Sequence, residues 1–228
     1  MISSYFSKPS FNLNDISPII DPEVFKNKTN DYWYLKSFDY QTFAYMDDIF
    51  CDDSINRIIK LGNLYVEEQA KVGTEVGKGV AQVNEDIRIC KLAWMSANKH
   101  TEWIYSTITD SINSINDQFF NFNLTKIETF QFTKYREEDC SFYSKHTDPM
   151  IGQYLPENRK LSLVLQLSDP DEYEGGDLYL HTGKEPTVIE KKKGRMIFFP
   201  SYTLHEVTPV TKGTRYTLVG WVHGPAFK

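Results

Sequence analysis

The chain has 228 residues, 40% hydrophobic, 14% aromatic and 25% charged, which excludes a disordered or low-complexity polymer and leaves enough apolar material for a substantial core. Its 25 Lys and Arg against 31 Asp and Glu give a formal charge of -6, so no global field recruits nucleic acid. Cys51, Cys90 and Cys140 are too few for a disulfide framework, no apolar run reaches the ~18 residues of a spanning helix, and the opening MISSYFSKPSF lacks a secretory pattern; the expectation is a cytoplasmic protein with no membrane partner.

Residues 1–36 carry Pro9, Pro18 and Pro22 among Asn, Asp and aromatics without periodicity, and read as an extended arm: a cover strip, an oligomer contact or a substrate lid. The rest, 37–228, reads as a single domain with a helical buttress at 37–120 and a barrel at 121–228. Asp52 and Asp53 precede Ile55, Ile58, Ile59, Leu61 and Leu64, an acidic first turn followed by helical spacing. Gly73, Gly77 and Gly79 mark a loop, and IRICKLAWM reads as one strand. Trp103, Ile104, Ile108, Ile112, Ile115 and Phe119 predict a second helix from Asn98 to Phe120.

After Asn121 the period changes to two, as expected of a strand-rich sandwich or barrel. In IETFQFTKY, Phe130 and Phe132 share one face while Gln131, Thr133 and Tyr135 share the other. In LSLVLQLS, Leu161, Leu163, Leu165 and Leu167 oppose Ser162, Val164, Gln166 and Ser168, so two such polar faces can line a pocket. RYTLVGWVHG places Arg215, Thr217, Val219, Trp221 and His223 on one face, either as a pocket wall or as an edge strand with a solvated Arg and a core Trp. Lys191 to Lys193, before Gly194, read as a solvated hairpin tip.

His146 and Asp148 stand at i and i+2, on one side of a strand, where they can share an ion. HxD alone is a weak signal and needs a third ligand, for which the candidates are His100, His181, His205 and His223. His100 starts the second helix, His181 has no Arg at a useful downstream spacing, and His223 sits near the terminus, where it can line a pocket mouth. His205 opens a new strand, and Arg215 follows across Pro209 and Lys212-Gly213, so adjacent strands can present an imidazole and a guanidinium to one cavity. Two nitrogens and one carboxylate form a facial triad suited to non-haem Fe(II), although zinc accepts the same ligands. An arginine has no use in a purely structural metal site, whereas its planar fork matches a carboxylate.

From Gln131 to Trp221, the segments QFTKY, FYSKHTD, LSLVLQLSDPDEYEGGDLYL and GRMIFFPSYTLHEVTPVTKGTRYTLVGW resemble the Fe(II)/2-oxoglutarate-dependent dioxygenases, and within them the prolyl-hydroxylase-like group with its short bacterial and phage-type members. The resemblance implies a β-rich α+β fold, a double-stranded β-helix of jelly-roll or cupin-like form buttressed by the N-terminal helices. It implies Fe(II) on His146, Asp148 and His205, and 2-oxoglutarate on Arg215 with Tyr135 and Gln131 beside it. Trp221 and Tyr143 would face the substrate, and O₂ would be consumed, with ascorbate as an optional reductant. REEDCS after Tyr135 is longer and more acidic than the family pattern, and Gln166 stands where some relatives place a Tyr that touches the co-substrate.

The implied activity is hydroxylation of an unactivated C–H, on a prolyl or other peptidyl residue, with release of succinate and CO₂. A free amino acid or small metabolite is the same-chemistry alternative, and a non-catalytic metal- or ligand-binding barrel is the rival from another class. Demethylation of nucleic acid is disfavoured because Trp221 stands where demethylating relatives carry a second arginine.

Overall fold

Alternation along the second half of the chain becomes two antiparallel sheets that face each other across a cleft. The computed structural model describes residues 41–71, 83–148 and 157–225, all within one compact unit, Tyr40–Lys228. The arm expected at 1–36 and the loop expected around Gly73, Gly77 and Gly79 lie outside the described residues. The first half supplies β1 (Ala44–Met46), α1 (Asp52–Gly62), β2 (Glu68–Gln69), β3 (Arg88–Ile89), β4 (Lys91–Met95) and α2 (Glu102–Ile115), the last running into a π-helical turn at Asn116–Phe120. The second supplies β5 (Lys126–Ile127), β6 (Phe130–Arg136), β7 (Phe142–His146), β8 (Glu157–Gln166), β9 (Tyr173–Gly175), β10 (Leu178–His181), β11 (Thr187–Val188), β12 (Met196–Pro200), β13 (Leu204–Val207) and β14 (Val210–Pro225).

The larger sheet runs β1-β12-β8-β14-β6-β4-β2, with β5 and β9 also paired to β14, and the smaller runs β11-β10-β13-β7-β3. Both helices lie where their periodicity puts apolar faces. α1 opens on Asp52 and Asp53, closes on Lys60 and buries Ile55 and Ile58, each such side chain contributing about 1.5–3 kcal/mol. α2 starts at Glu102 rather than Asn98, because the Thr101 hydroxyl takes the Asn98 N–H (3.0 Å) and donates to the Ser96 carbonyl (2.7 Å), folding the preceding residues into a turn. Ile104, Ile108 and Ile112 join Ile55 and Ile58 over Phe130, Phe132, Leu161, Leu163 and Leu165, so the helices cover the apolar face of the larger sheet.

A second cluster, including Leu92, Val164, Ile197 and Phe199 with Leu178, Leu180 and Val207, fills part of the space between the sheets. The expected single strand IRICKLAWM divides at Cys90: β3 pairs with β7 in the smaller sheet, whereas β4 pairs with β6 in the larger. This break carries Arg88 to one wall of the cleft and leaves Trp94 on the other sheet.

Gly176 illustrates why the EGGD turn needs glycine: it sits at φ +62, and a Cβ there would meet Arg215 Cδ at 2.9 Å. Lys191 to Lys193 do not form a solvated tip. Lys191 pairs with Asp177 (3.1 Å), Lys192 with Asp47 (3.1 Å) and Lys193 with Asp52 (3.5 Å), while Arg195 forks onto Asp47 at 2.7 and 2.9 Å. Acidic groups around β1 and the start of α1, distant in sequence, supply most of these partners. Among the described residues no helix is long and apolar enough to cross a membrane.

Candidate metal centre and co-substrate cleft

His146 ends β7 and faces His205 of β13 as its direct cross-strand partner, so the sheet register itself brings two imidazoles together. Asp148 follows, its N–H bonded to the Ser201 carbonyl at 2.8 Å, which turns its carboxylate back toward both rings. The distances are 3.7 Å from His146 Nε2 to Asp148 Oδ1 and 3.6 Å from His205 Nε2 to Asp148 Oδ2. Among the described residues this is the one metal-ligand cluster, its ligand atoms all within 4.8 Å of one another.

The hydrogen bonds of these ligands suit a cation. His146 Nδ1 donates to the Ser144 carbonyl at 2.7 Å and His205 Nδ1 to the Thr203 carbonyl at 2.9 Å; because carbonyls only accept, the proton of each neutral ring sits on Nδ1 and Nε2 is the nitrogen turned to the metal position. Burial, and after it the neighbouring His205, pushes His146 down to about 3. Burial opposes ionisation of Asp148, but His205, His146 and the Ser162 hydroxyl hold its carboxyl below the ordinary value. Ser162 Oγ donates to Asp148 Oδ2 at 2.7 Å and also meets Ser201 Oγ at 2.9 Å. Two imidazoles whose Nε2 atoms face one carboxylate fit a divalent metal.

The cleft beside this cluster holds about 460 Å³ of free space, including its open mouth. On its larger-sheet wall, Arg215 of β14 is the cross-strand partner of Tyr135 of β6. Arg215 is 2% exposed, its guanidinium lies 5.3 Å from the Tyr135 ring, and its Nε and Nη2 have no hydrogen-bond partner. A buried guanidinium cannot shed its charge, so unmatched donors there call for an anionic ligand.

Of the residues singled out in the sequence, His146, Asp148, His205, Arg215, Tyr135, Gln131, Tyr143 and Trp221 all line this cleft. Gln131 directs its amide along β6 to Thr133 Oγ1 at 2.8 Å. Gln166 is not among the lining residues: it ends β8 and donates to the Glu190 carbonyl at 3.1 Å. His223 is not among the lining residues either: its ring bonds Glu128. Glu128 also holds Arg159 through two 2.6 Å bonds, and Arg159 stacks 4.0 Å from the Trp221 ring. His181 pairs with Glu206 at 2.9 Å.

Three cleft groups went unread in the sequence: Arg88, Ser162 as a partner of Asp148, and Thr217 as an unpaired hydroxyl. Ser162 and Thr217 were visible as members of polar strand faces. Arg88 was signalled only by a cation inside an apolar strand.

An antiparallel two-sheet fold with a His-Asp-His set and an unpaired arginine in one cleft defines a candidate non-haem metal oxygenase. Residues 130–223 match the 2OG-Fe(II) oxygenase superfamily. A PKHD-type hydroxylase of Prochlorococcus marinus is 30% identical over 186 residues, 81% of this chain and 77% of that protein. A PKHD-type hydroxylase of a Synechococcus species is 49% identical over 65 residues, 28% of this chain and 29% of that protein. The chain belongs to the 2OG-Fe(II) oxygenase superfamily, whose metal and co-substrate are Fe(II) and 2-oxoglutarate.

The same fold occurs in a Pseudomonas putida prolyl-4-hydroxylase, with a TM-score of 0.60, 19% identity and coverage of 81% of this chain and 94% of that one. It occurs also in a Trichoplax adhaerens prolyl hydroxylase solved with a hypoxia inducible factor peptide fragment, with a TM-score of 0.63, 17% identity and coverage of 79% and 83%.

Proposed function

We propose that this oxygenase hydroxylates a prolyl or other peptidyl residue, with His146, Asp148 and His205 holding Fe(II) and Arg215 holding the distal carboxylate of 2-oxoglutarate. The observation that carries the co-substrate assignment is Arg215 itself, enclosed in the same cleft as the metal ligands with two donors unmatched. The acceptor assignment draws support from the relatives, which are named PKHD-type hydroxylases or prolyl hydroxylases.

When bound, the metal and 2-oxoglutarate supply the oxidising power, O₂ being consumed in forming succinate, CO₂ and a hydroxylated product. The chain's own residues set the stage. The carbonyls of Ser144 and Thr203 fix the imidazole tautomers, and Ser162 orients the Asp148 carboxylate. Tyr135 lies against Arg215, restricting the guanidinium to the cleft. Trp221, backed by Arg159, and Tyr143, stacked 3.4 Å from the His146 ring, form aromatic walls against which an acceptor ring is placed.

Incubating the iron-loaded protein with 2-oxoglutarate, O₂ and a peptide pool, followed by mass spectrometry, tests the reading. One-oxygen additions on Pro, matched by succinate, are expected. Succinate without any peptide modification would rule out the peptidyl acceptor, and no succinate at all would rule out the oxygenase assignment to these residues.

A further inference from the structure

The metal ligands and Arg215 leave one strongly charged member of the cleft without a task. Arg88 is 5% exposed and lines the cleft from β3, in the smaller sheet, whereas Arg215 lines it from β14, in the larger. Its Nε donates to Cys90 Sγ at 3.1 Å and its guanidinium carbon lies 4.4 Å from the Tyr143 ring, and among the described residues it forms no ion pair with a carboxylate. Tyr143 is in turn stacked on His146, so Arg88 is held one aromatic ring away from a metal ligand.

The charges do not balance without it having a partner. Asp148 is the one carboxylate among the described residues lining the cleft. A divalent metal, Arg215 and Arg88, set against Asp148 and dianionic 2-oxoglutarate, leave one positive charge uncompensated in a cleft where both guanidinium groups are buried, an arrangement that favours a further anion. The co-substrate's distal carboxylate is already matched by Arg215, and Arg88 approaches from the opposite sheet beside Tyr143, so the missing anion belongs to the acceptor.

We propose that Arg88 is a specificity residue that receives a carboxylate of the acceptor. Resting on the oxygenase reading above, it narrows the substrate to molecules carrying a carboxylate close to the carbon to be hydroxylated. That carboxylate is either an acidic side chain next to the target residue or a free α-carboxylate.

Carbon-13 acetate is a direct probe. With Mn(II) in place of Fe(II) and 2-oxoglutarate saturating, acetate bound at Arg88 should show saturable relaxation enhancement of its carboxylate carbon, and Arg88→Gln should abolish that enhancement. The 2-oxoglutarate Kd, measured in the same samples, should stay within about twofold, which also shows that the variant is folded. No saturable enhancement in the unaltered protein, or the same enhancement in Arg88→Gln, would overturn the proposal. So would a rise in the 2-oxoglutarate Kd of about tenfold or more, since Arg88 would then serve the co-substrate.

Prolyl peptides with Glu or Gln beside the proline, and with a free or amidated C-terminus, separate the two sources. The carboxylate form of the correct pair should bind about tenfold tighter to the unaltered protein and no tighter to Arg88→Gln. Equal binding of both forms in both pairs contradicts the proposal. Saturable acetate binding at Arg88 with no binding of any peptide would support Arg88 while sinking the peptidyl reading.

Discussion

On the outer face of the larger sheet, Phe130, Phe132, Leu161, Leu163 and Leu165 are each at most 1% exposed; on the inner face of the same sheet, Gln131, Tyr135, Ser162, Arg215 and Thr217 are each at most 3% exposed. Burial is therefore nearly equal, yet the two faces differ in how completely their groups are matched. The outer face packs apolar side chains of strand and helix together and needs nothing further. The inner face encloses Arg215 and Thr217 with polar atoms unpaired, and keeps the Asp148 carboxylate beside two imidazoles. One face holds the fold together, and the other gives up some stability to keep a site prepared.

The sharpest break between the faces comes from Asp148→Ala. It should remove iron retention and turnover altogether while thermal unfolding changes little, checked by metal analysis and a melting curve; metal retained at full stoichiometry would show that the carboxylate is not a ligand. Leu163→Ala, on the outer face, should do the reverse: destabilise by about 2–5 kcal/mol in denaturant unfolding while the folded protein still binds 2-oxoglutarate with unchanged affinity.

A smaller effect belongs to neither face. Arg195's hydrogen bonds and charge hold the Asp47 carboxyl at about 2, below the ordinary 3.8. A depressed folded value means that the pair's contribution is complete above about pH 4 and lost as pH falls through about 2. Asp47→Asn should therefore lower stability near neutrality by about 1–2 kcal/mol and flatten the acid limb of the stability curve. An acid limb identical to that of the unaltered protein would show that the pair carries no such linkage. The smallest change is expected from Thr217→Val: its buried hydroxyl has no partner, so stability should stay within about 0.5 kcal/mol or rise.

Much of this contrast was legible in the sequence. The alternation of Leu161 to Ser168 and of Ile127 to Tyr135 reads directly as one greasy and one polar face, because strand periodicity is local. His146 and Asp148 were visible from i, i+2 spacing, and the pairing of His205 with a downstream Arg215 singled out the third ligand. What sequence could not supply depends on pairing between distant segments. The chain changes sheets at Cys90, which alone puts Arg88 in the cleft. The partners that hold His223 and Gln166, Glu128 and the Glu190 carbonyl, likewise come from segments distant in sequence. The lysines at 191–193 are paired for the same reason, their partners including Asp47 and Asp52 near the other end of the unit.

The most direct measurement is an anaerobic titration of the Fe(II)-loaded protein with 2-oxoglutarate, followed by its visible metal-to-ligand absorption. The account predicts a band that saturates at one equivalent, and in Arg215→Gln a Kd raised by about 1.5–3 kcal/mol, roughly ten- to a hundredfold, with iron still bound. A band that never develops in the unaltered protein, or one that saturates identically in Arg215→Gln, would contradict it.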